Sequence, residues 1–263
     1  MGVILQKRLA FAPWEDARTR RLPGVIPVAP EDWLVEDDAF AEKMALRAEL
    51  IATQEAAVHR MAPDALAAAR ELYGQILALL PGRGYQLGPD GVIRRPDGVE
   101  VLPDLEQPLL TLGRLVVEDF CLMLPDGESG HALRGAILCF PAGWTLAEKF
   151  GRAMLGIHQP VAKYDEALAP RVQRLMDGMR TGIGLLRGTA HHSNAPLHNP
   201  RSEAQGHSVS GDLPFIRVER QCLFRLPETG AVVFSIHTTL IREADLSEVQ
   251  KATLAEFPIR DAA

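Results

Sequence analysis

Apolar residues at Leu66, Ala69, Leu72, Tyr73, Ile76, Leu77 and Leu80 fall three and four apart, the spacing of one helix face. Pro63 suits a first turn, and Pro81-Gly82-Arg83-Gly84 cannot continue the run, so the pattern predicts a helix over 63–80. A looser stripe of Trp33, Phe40, Met44 and Leu50 predicts a charged helix from Asp32 to Ala52. Ahead of it, Pro13, Pro23, Pro27 and Pro30 keep residues 1–30 extended. Pro108 opens a short helix carrying Leu109, Leu112, Leu115 and Val116. Leu168, Val172, Leu175, Met176 and Met179 share a face of another, from Tyr164 to Met179, which Gly182 and Gly184 end.

Elsewhere the period is two. Phe120 to Leu124 and His131 to Phe140 read as strands joined through Pro125-Asp126-Gly127. Phe215 to Leu226 and Ala231 to Leu240 form the clearest hairpin, turned by Pro227-Glu228-Thr229-Gly230. On its return strand Val232, Phe234, Ile236 and Leu240 share one face, and Val233, Ser235, His237 and Thr239 the other. Gly-Pro-Asp-Gly at 88–91 and Arg-Pro-Asp-Gly at 95–98 predict a small ribbon between Tyr85 and Pro103. Thr145 with Glu148, and Asp245 with Glu248, read as capping boxes, the second opening a C-terminal helix to about Phe257. Residues 187–213, rich in His, Asn, Ser, Pro and Gly, read as one long loop. Antiparallel strands with helices packed on them make the fold class α+β. The chain divides into an extended and helical segment at 1–84 and a core at 85–263, within one compact unit.

Composition narrows the function. The 263 residues are 47% hydrophobic and carry a formal charge of −6, enough for a sizeable core and without the basic face that nucleic-acid binding requires. No run of about 18 apolar residues predicts a membrane span. No secretory signal is visible at Met1 to Arg8, so the expected compartment is the cytoplasm. Cys121, Cys139 and Cys222 are far apart in apolar surroundings, which suits reduced, buried thiols. Walker A, HExxH, Gly-x-Ser-x-Gly and a dinucleotide-binding GxGxxG are missing.

Special residues crowd one window. A strand, the corner Cys139-Phe140-Pro141-Ala142-Gly143-Trp144, a capped turn and Ile157-His158-Gln159-Pro160-Val161 fall within some two dozen residues. Pro160 restricts Gln159 to extended backbone where the chain leaves an apolar run. His158 there is either a core histidine bonded to a backbone carbonyl or a metal ligand, haem iron included. Arg217-Val218-Glu219-Arg220-Gln221 sets charge on a strand that otherwise reads as buried. Arg217, Glu219 and Gln221 point one way; Val218, Arg220 and Cys222 point the other. The alternatives are a cross-strand ion-pair ladder, an arginine for a propionate or acidic substrate, and a glutamate for a cationic amine. His191, His192, His198 and His207 form either a polar surface loop or a zinc site without a second ligand cluster. His237 lines a cavity or is half-buried, Trp144 plugs the corner or walls a planar cofactor, and Cys139 ranks below His158 as a ligand.

Together these segments resemble the haem-dependent oxidative N-demethylase α-subunit family. The resemblance rests on Asp119 after Leu115-Val116-Val117-Glu118, the Cys139–Trp144 corner, Glu148-Lys149-Phe150-Gly151, Ile157–Val161 with Tyr164, Arg217–Gln221, and Leu226–Gly230 leading to Phe234 and Thr238. It spans roughly residues 22–245. It implies a PAS-like domain holding haem b, which activates O2 and removes a methyl group from a small secondary amine such as dimethylamine, releasing formaldehyde. It also implies a partner, a reductase on another chain that passes electrons from NADPH through flavin and iron–sulfur centres. By this resemblance His158 is the metal ligand. Arg217, Arg220, Trp144, Lys149 and His237 join it as cofactor-binding residues, and Glu219 is the catalytic carboxylate. The family's Arg-x-Asn-Trp stretch reads Arg187-Gly188-Thr189-Ala190 here, and its Pro-Val-Pro reads Pro160-Val161-Ala162. The first departure bears on which amine fits. A haem-binding sensor without turnover, or a non-catalytic ligand-binding protein, is the alternative.

Overall fold

Runs with period two supply most of the second half of the chain, and they build one large sheet. The computed structural model describes residues 2–20, 24–127, 130–158, 169–205 and 211–261, with the backbone alone at Leu155, His158, Ala169, Pro170, Arg171, Arg260 and Asp261. Strands are β1 (Ile26–Val28), β2 (His59–Met61), β3 (Gln86–Leu87), β4 (Ile93–Arg94), β5 (Glu100–Val101), β6 (Asp119–Pro125), β7 (His131–Ile137), β8 (Gly184–Ser193), β9 (Phe215–Arg225), β10 (Val232–Ile241) and β11 (Arg260–Asp261). Helices are α1 (Phe40–Val58), α2 (Leu66–Leu79), α3 (Pro108–Leu115), α4 (Leu146–Lys149), α5 (Met154–His158), α6 (Ala169–Asp177) and α7 (Glu248–Glu256). The main sheet runs β1-β8-β9-β10-β6-β7-β2, with β11 added parallel to β8 and every other pair antiparallel. Strands β3–β5 form the small ribbon expected between Tyr85 and Pro103. β1 and β2 come from the first 61 residues yet occupy the two ends of the main strand order.

Each face of the sheet buries its own apolar set. On the first, Phe120, Leu122, Ile137, Phe224 and Val233 pack against Leu50, Ile51, Leu72, Ile76, Leu109 and Leu112 of α1–α3. Trp33 stacks on Phe224 with ring centroids 4.1 Å apart and donates its indole N–H to Ser235 Oγ at 2.7 Å. On the second face Cys121, Met123, Leu133, Ala136, Val232 and Ile236 meet α4–α6 through Leu146, Met154, Ile157, Val172 and Met176. A third cluster joins Leu9 and Trp14 of the N-terminal arm to Ile216, Val218, Ile241 and Leu254.

Four expectations are corrected. Residues 187–193 are strand, not loop: β8 pairs with β9 from Leu185 through Ser193. Its polar composition reflects a half-buried strand whose backbone pairs with β9 along this length and, on its other edge, only with β11 at His191 and His192. The helix expected from Asp32 begins only at Phe40, because Trp33 is buried against the sheet and the Asp37 carboxylate accepts the Ala39 amide at 2.8 Å. The last capping box is Ser247 with Gln250, two residues later than expected, since Asp245 instead pairs with Arg242 at 2.8 Å. At α4 Thr145 accepts the Glu148 amide, while Glu148 takes the threonine hydroxyl at 2.6 Å rather than the cap amide.

Candidate functional site

Side chains alternate across a strand, and directly paired antiparallel residues share a face. Pairing of β8, β9 and β10 therefore lays out a grid on the second face, with rows Arg187–Gln221–Ile236 and Thr189–Glu219–Thr238, and His191 beside Arg217. Arg220 and His237 are paired with each other and point to the first face. The candidate set read from the sequence is thus divided by the sheet: Arg217 and Glu219 lie on one side, Arg220 and His237 on the other.

On the first side the polar groups are already committed. His237 presents Nε2 to Asp37 and Nδ1 to Glu118, each at 3.2 Å. Lys43 pairs with Asp37 and donates to the Thr238 carbonyl at 2.6 Å. All four side chains are at most 5% exposed. Two carboxylates, a lysine and an imidazole with a carboxylate at each nitrogen balance in charge when the ring carries both protons. Burial opposes that imidazolium, but the hydrogen bonds to Asp37 and Glu118 outweigh it and hold the His237 pKa above its usual value. Burial likewise works against the Asp37 and Glu118 anions, and the hydrogen bonds from His237 hold both below the carboxylate range. Arg220 donates to the carbonyls of Trp33 and Asp32 at 2.9 and 2.5 Å. A cleft of about 490 Å3 lies beside it, and Arg83 on its wall is likewise bonded to a carbonyl, that of Leu34.

Arg217, on the second side, is 1% exposed and acts as a clasp. Its guanidinium donates to the carbonyls of Pro196 and Leu197 at 3.2 Å and of Phe140 at 2.7 Å, and its Nε lies 3.5 Å from Glu219 Oε1. Glu219 accepts the Gln221 amide at 2.9 Å and keeps further lone pairs open. Burial lowers the His191 pKa and keeps that ring neutral near pH 7. Arg187 is half-buried, with its Nε sealed from solvent and without a hydrogen bond among the described residues, and the Glu219 carboxylate acts on its charge from nearby. Thr238 is 2% exposed, and its hydroxyl also lacks a partner. An apolar floor adjoins this grid: Leu185, Leu223, Phe234 and Ile236 with Met154, Ile157 and Trp144.

The corner after β7 is held from three directions. Asp119 accepts the amides of Cys139 and Phe140, both at 2.8 Å, and pairs with Arg47, which is fully buried. His198 Nδ1 donates to the Cys139 carbonyl at 2.7 Å, and Gly143 donates to Asn199 at 3.0 Å. Trp144 is thereby set half-buried against the second apolar cluster. Lys149 is 5% exposed and pairs with Glu203 at 2.9 Å, joining α4 to the segment that follows β8. Burial pushes the Cys139 thiol up to about 12, so it is protonated in this fold at neutral pH. All three cysteines are free and buried.

His158 ends α5, whose Met154 and Ile157 pack in the second cluster; its side chain, with Gln159 to Leu168 and His207, lies outside the described residues. Among the described residues no cluster of three or more His, Cys, Asp or Glu is arranged for a metal ion, and no helix is long and apolar enough to cross a membrane. Arg187 and Thr238 were not named as site residues, since residues 187–213 were read as loop, although the family resemblance runs through both positions. A further signal was Leu185-Leu186-Arg187, an apolar strand start running into a charge.

A family model described as haem-dependent oxidative N-demethylase, alpha subunit-like, matches residues 24–257. No curated protein matches the chain.

Proposed function

The chain belongs to the haem-dependent oxidative N-demethylase α-subunit-like family, and on that premise we propose that it is the haem-carrying subunit of a monooxygenase that demethylates a small secondary amine. With dimethylamine, one O2, two electrons and two protons, the products are methylamine, formaldehyde and water. The proposed scaffold is PAS-like, with haem b against the second face of the sheet. The proposed electron source is NADPH, through a flavin and iron–sulfur reductase on another chain.

The observation that carries this reading is the pairing, on one face, of an apolar floor with a guanidinium whose buried Nε has no hydrogen bond and with a buried hydroxyl that has none. A flat apolar group with carboxylate arms answers both halves of that chemistry. The haem, when bound, supplies the oxidising power; the protein supplies a ligand, orientation and a dry surface. His158 would be the residue that holds the iron, carried over from the Ile157-His158-Gln159-Pro160 motif, and the packing of α5 in the same cluster supports that assignment. Trp144 walls the floor. Lys149, bound to Glu203, braces the rim. Glu219 keeps lone pairs for the N–H of a protonated amine and orients its methyl group. Arg220 and His237 hold the opposite face together and take no part in this reading.

The test is spectral and then chemical. The purified chain should show a Soret band that His158→Ala abolishes. With a reductase and NADPH it should release formaldehyde from dimethylamine. A colourless chain that refuses added haemin rejects the reading.

A further inference from the structure

Most buried arginines of this chain have backbone acceptors. Arg47 donates to the carbonyls of Gly113, Val117 and Glu118, and Arg217 to those of Pro196, Leu197 and Phe140. Arg220, half-buried, is tied to Trp33 and Asp32. Arg187 breaks this pattern. Its Nε is closed off from water and bonded to nothing, and among the described residues no backbone carbonyl takes its other nitrogens as carbonyls take those of Arg217, whose Nε is likewise unbonded; Glu219 attracts it without a hydrogen bond. A guanidinium presents its donors in a fixed fork that matches a carboxylate. Leaving its Nε desolvated and without a hydrogen bond costs free energy that a bound anion would recover.

A second group points to the same place. Thr238 is one register row from Arg187 and two strands over, on the same face, with Glu219 between them in its own row. Its hydroxyl is 98% enclosed with its residue and equally unbonded. β8 holds Arg187 in position from behind. A Cβ at Gly188 would lie 2.3 Å from the Phe11 ring and 2.9 Å from Pro13, so the N-terminal arm presses directly on the strand there.

We propose that Arg187, with Thr238 across the grid, forms a carboxylate-binding subsite on the second face of the sheet. The carboxylate belongs either to the cofactor's propionate or to the substrate, which would then be an N-methyl amino acid rather than a simple amine. This inference rests on the haem reading of the same face, and it adds the residue that takes the anionic end.

Titration of the full-length chain, stripped of haem, separates the sources. Haemin and haemin dimethyl ester are added to wild type, Arg187→Ala and Arg187→Lys, and the Soret band is followed. If the carboxylate is a propionate, wild type prefers haemin to the ester by at least tenfold. Arg187→Ala then loses that preference, and Arg187→Lys keeps part of it. If the carboxylate is the substrate's, ester and haemin bind alike, and N-methylglycine perturbs the Soret band of the wild type but not of Arg187→Ala. The urea midpoint of Arg187→Ala should match or exceed that of wild type, because no bond is lost in the free protein. A wild type that takes up haemin, with an Arg187→Ala variant identical to it in both arms, overturns this inference alone. A wild type that takes up no haemin overturns the parent reading and this one with it.

Discussion

Arg217 reaches from β9 to the carbonyl of Phe140, 77 residues away in sequence, at 2.7 Å. The same guanidinium holds the carbonyls of Pro196 and Leu197, so one side chain fastens the strand, the corner and the segment after β8. Hydrogen bonds from a charged donor contribute about 1.5–3 kcal/mol each, and breaking such a buried set costs about 3 kcal/mol or more. Arg217→Ala should therefore lower the urea unfolding free energy by about 3 kcal/mol, with Arg217→Lys recovering only part. A midpoint within error of wild type would show that the clasp contributes nothing.

The buried quartet of Asp37, Lys43, Glu118 and His237 makes stability depend on pH in both directions. His237 is raised in the fold, so its contribution is complete below its unfolded value of 6.5 and is lost as pH climbs through the folded one. Asp37 and Glu118 are lowered, so theirs is complete above the unfolded carboxylate range and is lost on acidification. Urea midpoints should peak between about pH 5 and 6.5 and decline on the alkaline side. His237→Gln should flatten the alkaline decline; an unchanged slope in the variant would assign it to other groups.

Glu219 should matter for the amine and not for the cofactor. Glu219→Gln keeps the bond geometry toward Arg217 and Gln221 but removes the charge. The amine KM should rise about tenfold, equivalent to about 1.4 kcal/mol, with haemin uptake unchanged. Equal amine kinetics in the two proteins would leave Glu219 as part of the clasp only.

Cys139 should be inert. A thiol pushed up to about 12 and fully buried is protonated and out of reach of a reagent at neutral pH. A thiol reagent should label none of the three cysteines until urea unfolds the chain, and Cys139→Ser should leave the Soret band in place. Loss of that band would move the ligand assignment from His158 to this sulfur.

Gly188→Ala should be costly for steric reasons. The added Cβ falls on Phe11 and Pro13, and overpacking of this kind costs about 1–3 kcal/mol. Thermal unfolding measures it; a shift below one degree would mean that the arm yields freely.

The hairpin of β9 and β10 was legible because its period of two is strict and its turn residues are unambiguous. So were α2 and α3, where proline marks the start and the apolar face is continuous. Alternation alone places Glu219 and Arg220 on opposite faces. β8 was not legible, since Thr189, His191 and His192 are polar and one glycine interrupts them, and its partners lie far away in the chain. Nor could the sequence show that Arg220 and His237 are occupied, for their acceptors at Trp33, Asp37 and Glu118 reach them only through tertiary packing. Carbonyl acceptors at its terminal nitrogens, more than residue type, distinguish Arg217 from Arg187, and they are a property of the folded neighbourhood.

β8 is shared property. Its first residues pair with β1, its glycine bears the thrust of Phe11, and its alternate side chains furnish the binding wall. Truncating or cleaving the leading arm would thus be felt as altered ligand recognition some distance away, well before the molecule as a whole came apart.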